Sequence, residues 1–204
     1  MKTTENGWLA GLTAAVSVLL LISVSINMQL ASRIRTMRSS LEQAYAKTGL
    51  AGGEALPPLE AKDLEGRDVQ VGFDPRKPTL VYVFTPQCGW CTRNLDNLRA
   101  VAGQAQGRYL VVGLSLESQS LAEYVTREAL NFPVYHQPPE KVIASYKLRS
   151  TPSTIVISPE GKVLRSWTGA YSGEVQKQVE ELLHVSLPGL RDAPVSRLAD
   201  ARER

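Results

Sequence analysis

The segment TLVYVFTPQCGWCTRN, residues 79–94, holds the only two cysteines of the chain, Cys88 and Cys91. Two thiols with two residues between them can exchange disulfides, ligate a soft metal, or close a small structural loop. The apolar run at 79–84 predicts a strand, and the residues from 88 to about 105 predict a helix, so Cys88 falls at a helix start. There the positive end of the helix dipole favours its thiolate. Cys91, one turn further in, is within reach of a mixed disulfide formed at Cys88. A bridge closing so small a loop removes little entropy from the unfolded chain, so as a staple it is weak. A metal site on this pair needs further ligands, and His136 and His184 are the only histidines. Redox exchange is the strongest reading of the pair, and no metal site or cofactor is assigned.

The elements that must position the pair read as one α/β arrangement. The 204 residues, 43% of them apolar, suffice for one well-cored domain with accessory segments. A net charge of +3, with basic residues spread along the chain, excludes a charge-driven nucleic-acid binder. LEAKDLEGRDVQVGF alternates and turns at Glu65 and Gly66, which predicts a hairpin. After the strand at 79–84 and the helix at 88–105 come a strand at 109–115, a helix at 120–127, an extended piece at 132–135 and a helix at 140–146. Two strands at 154–158 and 163–168 flank the turn PEGK, and a last helix covers 173–185. The order predicts a mixed central sheet flanked by helices. The tail, 187–204, mixes Pro, Gly and charges and is expected to be flexible.

At the other end, residues 6–32 carry no charge, and the apolar run at 8–30 spans roughly 34 Å as a helix, enough to cross a bilayer core of about 30 Å. No small-residue cleavage site follows it closely, so it predicts an uncleaved anchor, residues 1–32. Leu30, Ile34, Met37, Leu41 and Ala44 continue at steps of four and three, which predicts a helical stalk. With the linker it occupies 33–51, and a weak homodimer through residues 30–44 is the sharper reading of the same seam. Gly7, Gly11 and Ala15 add a small-residue pattern. Arg33, Arg35 and Arg38 follow the apolar run, and by the positive-inside rule alone they would keep the body of the protein in the cytoplasm.

VYVFTPQCGWC resembles the strand and active-site turn of thioredoxin-like proteins. NFPVYHQPPEKVIASYKLRSTPSTIVISPEGKVLRSWTG is similar to the second half of the membrane-anchored TlpA/ResA subfamily. The resemblance covers roughly residues 52–186 and implies a thioredoxin-like fold. It implies that Cys88 is the exposed nucleophile, that Cys91 is the resolving thiol, and that Thr151 precedes a cis-proline, Pro152, facing them. Trp90 is read as a docking surface for a partner or a shield over the disulfide. Two departures stand out. Thioredoxins carry an aspartate where this chain has Tyr82, and ResA-like proteins a glutamate where it has Asn94. No carboxylate is therefore assigned as proton acceptor for Cys91, and the redox direction stays open.

The resemblance implies a membrane-tethered thiol:disulfide oxidoreductase of the bacterial inner membrane, single-pass, its domain facing the periplasm or cell exterior. Its partners would be protein disulfides or dithiols and a membrane electron donor of the thiol type, with cytochrome c maturation as a common setting. Large domains translocate largely regardless of flanking charge, which weighs against the arginine count. A copper chaperone using His136 is the alternative, although that family has three residues between its cysteines and His136 reads as a surface residue. A thiol peroxidase is a third reading, from Thr85 three residues before Cys88, but Val81 stands where peroxiredoxins have proline.

Overall fold

A computed structural model describes residues 5–192, with side chains at 12, 14–37 and 49–192. The chain divides into two units, the first ending at Thr48 and the second beginning at Gly49. The described residues of the first unit form one helix, α1 (Glu5–Thr48), which joins the expected anchor to the expected stalk without a break. Its described apolar side chains are exposed, Leu19 at 64% and Leu21 at 71% among them. A helix that is apolar without a protein core to bury it suits lipid. Ala14–Met37 is long and apolar enough to cross a bilayer, overlapping the expected 8–30. The surroundings of Gly7 and Gly11 and the side chains of Leu41 and Ala44, on which the close-contact and seam readings depend, lie outside what is described.

The second unit is built on seven strands: β1 (Leu59–Lys62), β2 (Asp68–Val71), β3 (Thr79–Phe84), β4 (Leu110–Ser115), β5 (Val134–His136), β6 (Ser153–Ile157) and β7 (Val163–Thr168). They lie in the order β2-β1-β5-β4-β3-β6-β7. The pairs β3–β4 and β4–β5 are parallel, while β6, β7 and the β1–β2 hairpin run antiparallel to their neighbours. Every residue of β3 is buried, as a central strand covered on both faces requires. Its side chains alternate between two cores. Leu80, Tyr82 and Phe84 enter the core that also holds Cys91, Leu95 and Leu98, whereas Val81 and Val83 enter the one that holds Leu56, Val142 and Tyr146. That sandwich fixes the end of β3, and the end of β3 fixes the cysteine loop.

Among the described residues of the unit there are also five helices: α2 (Gly89–Arg93), α3 (Leu95–Gln104), α4 (Leu121–Arg127), α5 (Glu140–Ser145) and α6 (Gly173–Leu183). The expected single helix at 88–105 is thus two, divided at Asn94, whose side chain is drawn into buried hydrogen bonds rather than left on a helix surface.

Two boundaries also differ from expectation. The linker residues 49–51, expected outside the domain at 52–186, are part of the second unit: Leu50 is buried, as Leu56 is within the domain, and the Gly53 and Leu56 N–H groups donate to Val163 and Gly161 oxygens at 2.8 Å. Two leucines in a glycine-rich run suffice to dock it. The tail, expected to be flexible from 187, is packed through residue 191, with Leu187 buried and Arg191 held by ion pairs to Asp96 and Glu128. Charges that read as solvated are here partnered from distant elements. Residues 193–204, the rest of the expected flexible tail, lie outside the described residues.

Candidate active site

Beyond Phe84 the chain turns, with the Cys88 N–H donating to the Thr85 oxygen at 3.2 Å, and Cys88 becomes the N-cap of α2. Its backbone there is extended, φ −73° and ψ 106°, so the Sγ faces the first turn and accepts the Cys91 N–H at 3.1 Å. Cys88 and Cys91 form a disulfide with their Cα atoms 5.1 Å apart. Cys88 is half-buried and Cys91 fully buried against Leu95 and Leu98. Only one sulfur can therefore be met from outside. With α2 a single short turn, the local N–H on Sγ, more than a long helix dipole, is what favours a thiolate at Cys88 once the bridge is reduced.

Trp90, between the cysteines, is 56% exposed, and the Arg93 guanidinium lies 4.6 Å from its ring centroid. Thr151 is half-buried and Pro152 buried, and the bond between them is cis. Ser153 pairs with Val83, so one step earlier in this antiparallel register Pro152 falls level with Phe84. The end of β3 that launches the cysteine loop is thus flanked by Pro152. The Pro152 oxygen accepts the Gly169 N–H at 2.7 Å, while Ser153 Oγ donates to the Ser150 oxygen.

Beneath the cysteines lies a buried network that contains no charge. Asn94 Oδ1 accepts the Tyr171 backbone N–H at 2.9 Å and Asn97 Nδ2 at 3.0 Å, and its Nδ2 donates to the Tyr82 hydroxyl at 3.4 Å. Asn97 Nδ2 also reaches the Tyr171 oxygen at 3.2 Å, and the Tyr171 and Thr154 hydroxyls are 2.8 Å apart. Burial pushes the Tyr82 and Tyr171 phenols up, which keeps both protonated. The two positions where the family's carboxylates were missing, Tyr82 and Asn94, are therefore partners of each other. Asn97 and Tyr171 were not anticipated; the signal was polar residues at 94 and 97 one turn apart, interleaved with the core residues Leu95 and Leu98.

His136 is buried, contrary to its expected surface position, because its Nε2 lies 2.9 Å from the Asp63 oxygen in the hairpin turn. Among the described residues no group of three or more His, Cys, Asp or Glu is arranged to hold a metal.

Residues 52–166 match the AhpC/TSA family. The thiol-disulfide oxidoreductase ResA of Halalkalibacterium halodurans is 26% identical over 148 residues, covering 71% of this chain and 82% of that protein. ResA of Geobacillus thermodenitrificans is 27% identical over 135 residues, covering 65% of this chain and 78% of its own. Among solved structures, the thioredoxin domain of a thiol-disulfide oxidoreductase from Bacteroides vulgatus superposes with a TM-score of 0.55 at 20% identity, covering 66% of this chain and 99% of that one. The mixed sheet with its flanking helices is the thioredoxin-like fold. The family match covers more than half of the chain, and the chain belongs to the AhpC/TSA family.

Proposed function

We propose that this protein is a membrane-tethered protein thiol:disulfide oxidoreductase that works as a reductase outside the cytoplasm. The observation that carries the exchange chemistry is the asymmetry of the Cys88–Cys91 disulfide, one sulfur reachable at an N-cap and the other sealed in the core, while the reductase direction and the extracytoplasmic side follow the subfamily resemblance. In the reduced protein the Cys88 thiolate attacks one sulfur of a partner disulfide, and the other leaves as a thiolate that takes a proton from water. Cys91 then loses its proton and attacks Cys88 Sγ, expelling the partner's second thiolate. Two electrons pass to the partner, and the Cys88–Cys91 bridge forms. A thiol-type electron donor in the membrane would reduce the bridge again. Trp90, Thr151 and Pro152 surround the half-exposed sulfur in this reading and meet the partner. The ResA relatives carry thiol-disulfide oxidoreductase in their names, which supports the same chemistry here.

The first helix acts as anchor and stalk, with the amino terminus inside and residues 52–186 outside. A reporter active only outside the cytoplasm and fused to the carboxyl terminus should be active, and a cytoplasm-only reporter working at that junction would reverse the topology.

The reaction itself is tested with the full chain in detergent. It should accelerate insulin reduction by dithiothreitol, while copper(I) titration and peroxide consumption stay at the level of the buffer. Tight stoichiometric copper binding or rapid peroxide turnover without insulin reduction would favour the alternatives.

A further inference from the structure

Residues 187–191 run past α6 and α3 to α2, the helix that carries the cysteines. Leu187 is buried beside α6, its N–H donating to Glu180 Oε1 at 2.9 Å. The Gly189 N–H, at φ +99°, donates to Asn97 Oδ1 at 2.8 Å. Arg191 closes the crossing. Its Nε and Nη2 grip both Asp96 oxygens at 2.7 and 2.6 Å, and its Nη1 reaches Glu128 Oε2 at 3.2 Å. The Arg191 guanidinium beside Asp96 holds that carboxyl below its usual range, so the grip persists to more acidic pH than an unpaired aspartate would allow.

The same residue also holds α2 through its backbone. The Arg191 N–H donates to the Arg93 oxygen at 2.8 Å, and Arg93 Nε donates back to the Arg191 oxygen at 2.9 Å. Arg93 is thereby fixed at both its main chain and its guanidinium, and that guanidinium is the group lying over Trp90. With 56% of its surface exposed, Trp90 takes little hold from the core.

We propose that residues 187–191 are a strap that positions Trp90 through Arg93 and so sets how tightly a partner protein docks beside Cys88. Arg191 and Arg93 are positioning residues in a chain of contacts leading from the strap to the residue between the two cysteines. The docking role rests on the oxidoreductase reading above; the positioning of Trp90 does not. Fixing an exposed indole before a partner arrives lowers the ordering cost of docking, while bond exchange between sulfurs is left unaltered.

The test uses the full chain in detergent with Arg191→Ala, Arg93→Gln and the double variant. Acrylamide quenching of Trp90 is read as the difference from the matching Trp90→Phe protein. Arg191→Ala should raise Trp90 quenching, by less than twofold because the ring is already 56% exposed, and should raise the KM for insulin about threefold, the scale of one exposed cation–π contact, with kcat and the rate of bridge reduction by dithiothreitol unchanged. Arg93→Gln should raise both quantities similarly, and Arg191→Ala should add nothing in that background. Wild-type quenching in Arg191→Ala, or an equal further increase in the double variant, would overturn the strap. If Arg191→Ala does not fold, Asp96→Asn removes the carboxylate that grips the guanidinium and is held to the same results. A wild-type chain that leaves insulin intact overturns the oxidoreductase reading and the docking role with it, while the quenching arm still decides whether the strap holds Trp90.

Discussion

Cys88→Ser should reduce insulin no faster than dithiothreitol alone, and Cys91→Ser should fall to nearly the same steady-state rate for a different reason. Without Cys88 no sulfur is reachable, since Cys91 is fully buried, and the first bond exchange never begins. Without Cys91 that exchange proceeds, but the partner stays linked until an outside thiol releases it. The two variants therefore share a steady-state defect and differ in the first turnover, whose opening bond exchange Cys91→Ser carries out at close to the wild-type rate while the partner stays linked. Rapid-quench measurement of that first turnover checks the distinction. Equal rates of mixed-disulfide formation in both variants would mean that the half-exposed sulfur is not the attacking one.

Asn94→Ala should destabilise the protein by about 3 kcal/mol, since it strips a hydrogen-bond partner from several buried groups and each group left unpaired costs about 1–3 kcal/mol. The Tyr171 backbone N–H and the Tyr82 hydroxyl lose the only partners seen for them in this network, whereas Asn97 keeps the Tyr171 oxygen and the Tyr171 hydroxyl keeps Thr154. Urea unfolding of the reduced full chain in detergent measures the loss. A change below about 0.5 kcal/mol, the range of an ordinary surface substitution, would show that the network does not hold the junction of α2 and α3.

The parts of this molecule that were readable in the sequence are those dictated by local pattern. The run at 79–84 announced a strand because apolar, β-branched and aromatic residues crowd it, and the cysteine spacing announced the redox pair. The helix beyond was readable in extent but not in its division. Asn94 breaks it through contacts to Tyr82 and Tyr171, which are 12 and 77 residues away in the chain. Arg191 was unreadable for the same reason: a charged residue in a Pro- and Gly-containing stretch looks solvated until Asp96 and Glu128, 95 and 63 residues earlier, are seen beside it. His136 looked exposed because it is polar, yet its ring is paired with a hairpin-turn carbonyl that only the sheet brings near. Side chains whose partners come from tertiary structure leave little trace in periodicity or composition.

The central claim is that Cys88 attacks and Cys91 resolves, and the most direct measurement is the identity of the sulfur that carries a trapped partner. Reduced full-length Cys91→Ser and Cys88→Ser are each mixed with an excess of an oxidised protein disulfide, quenched in acid, digested without reductant and mapped by mass spectrometry. The account predicts a mixed disulfide at Cys88 in the first protein and no adduct in the second. Adducts of equal yield in both, or an adduct at Cys91 alone, would contradict it.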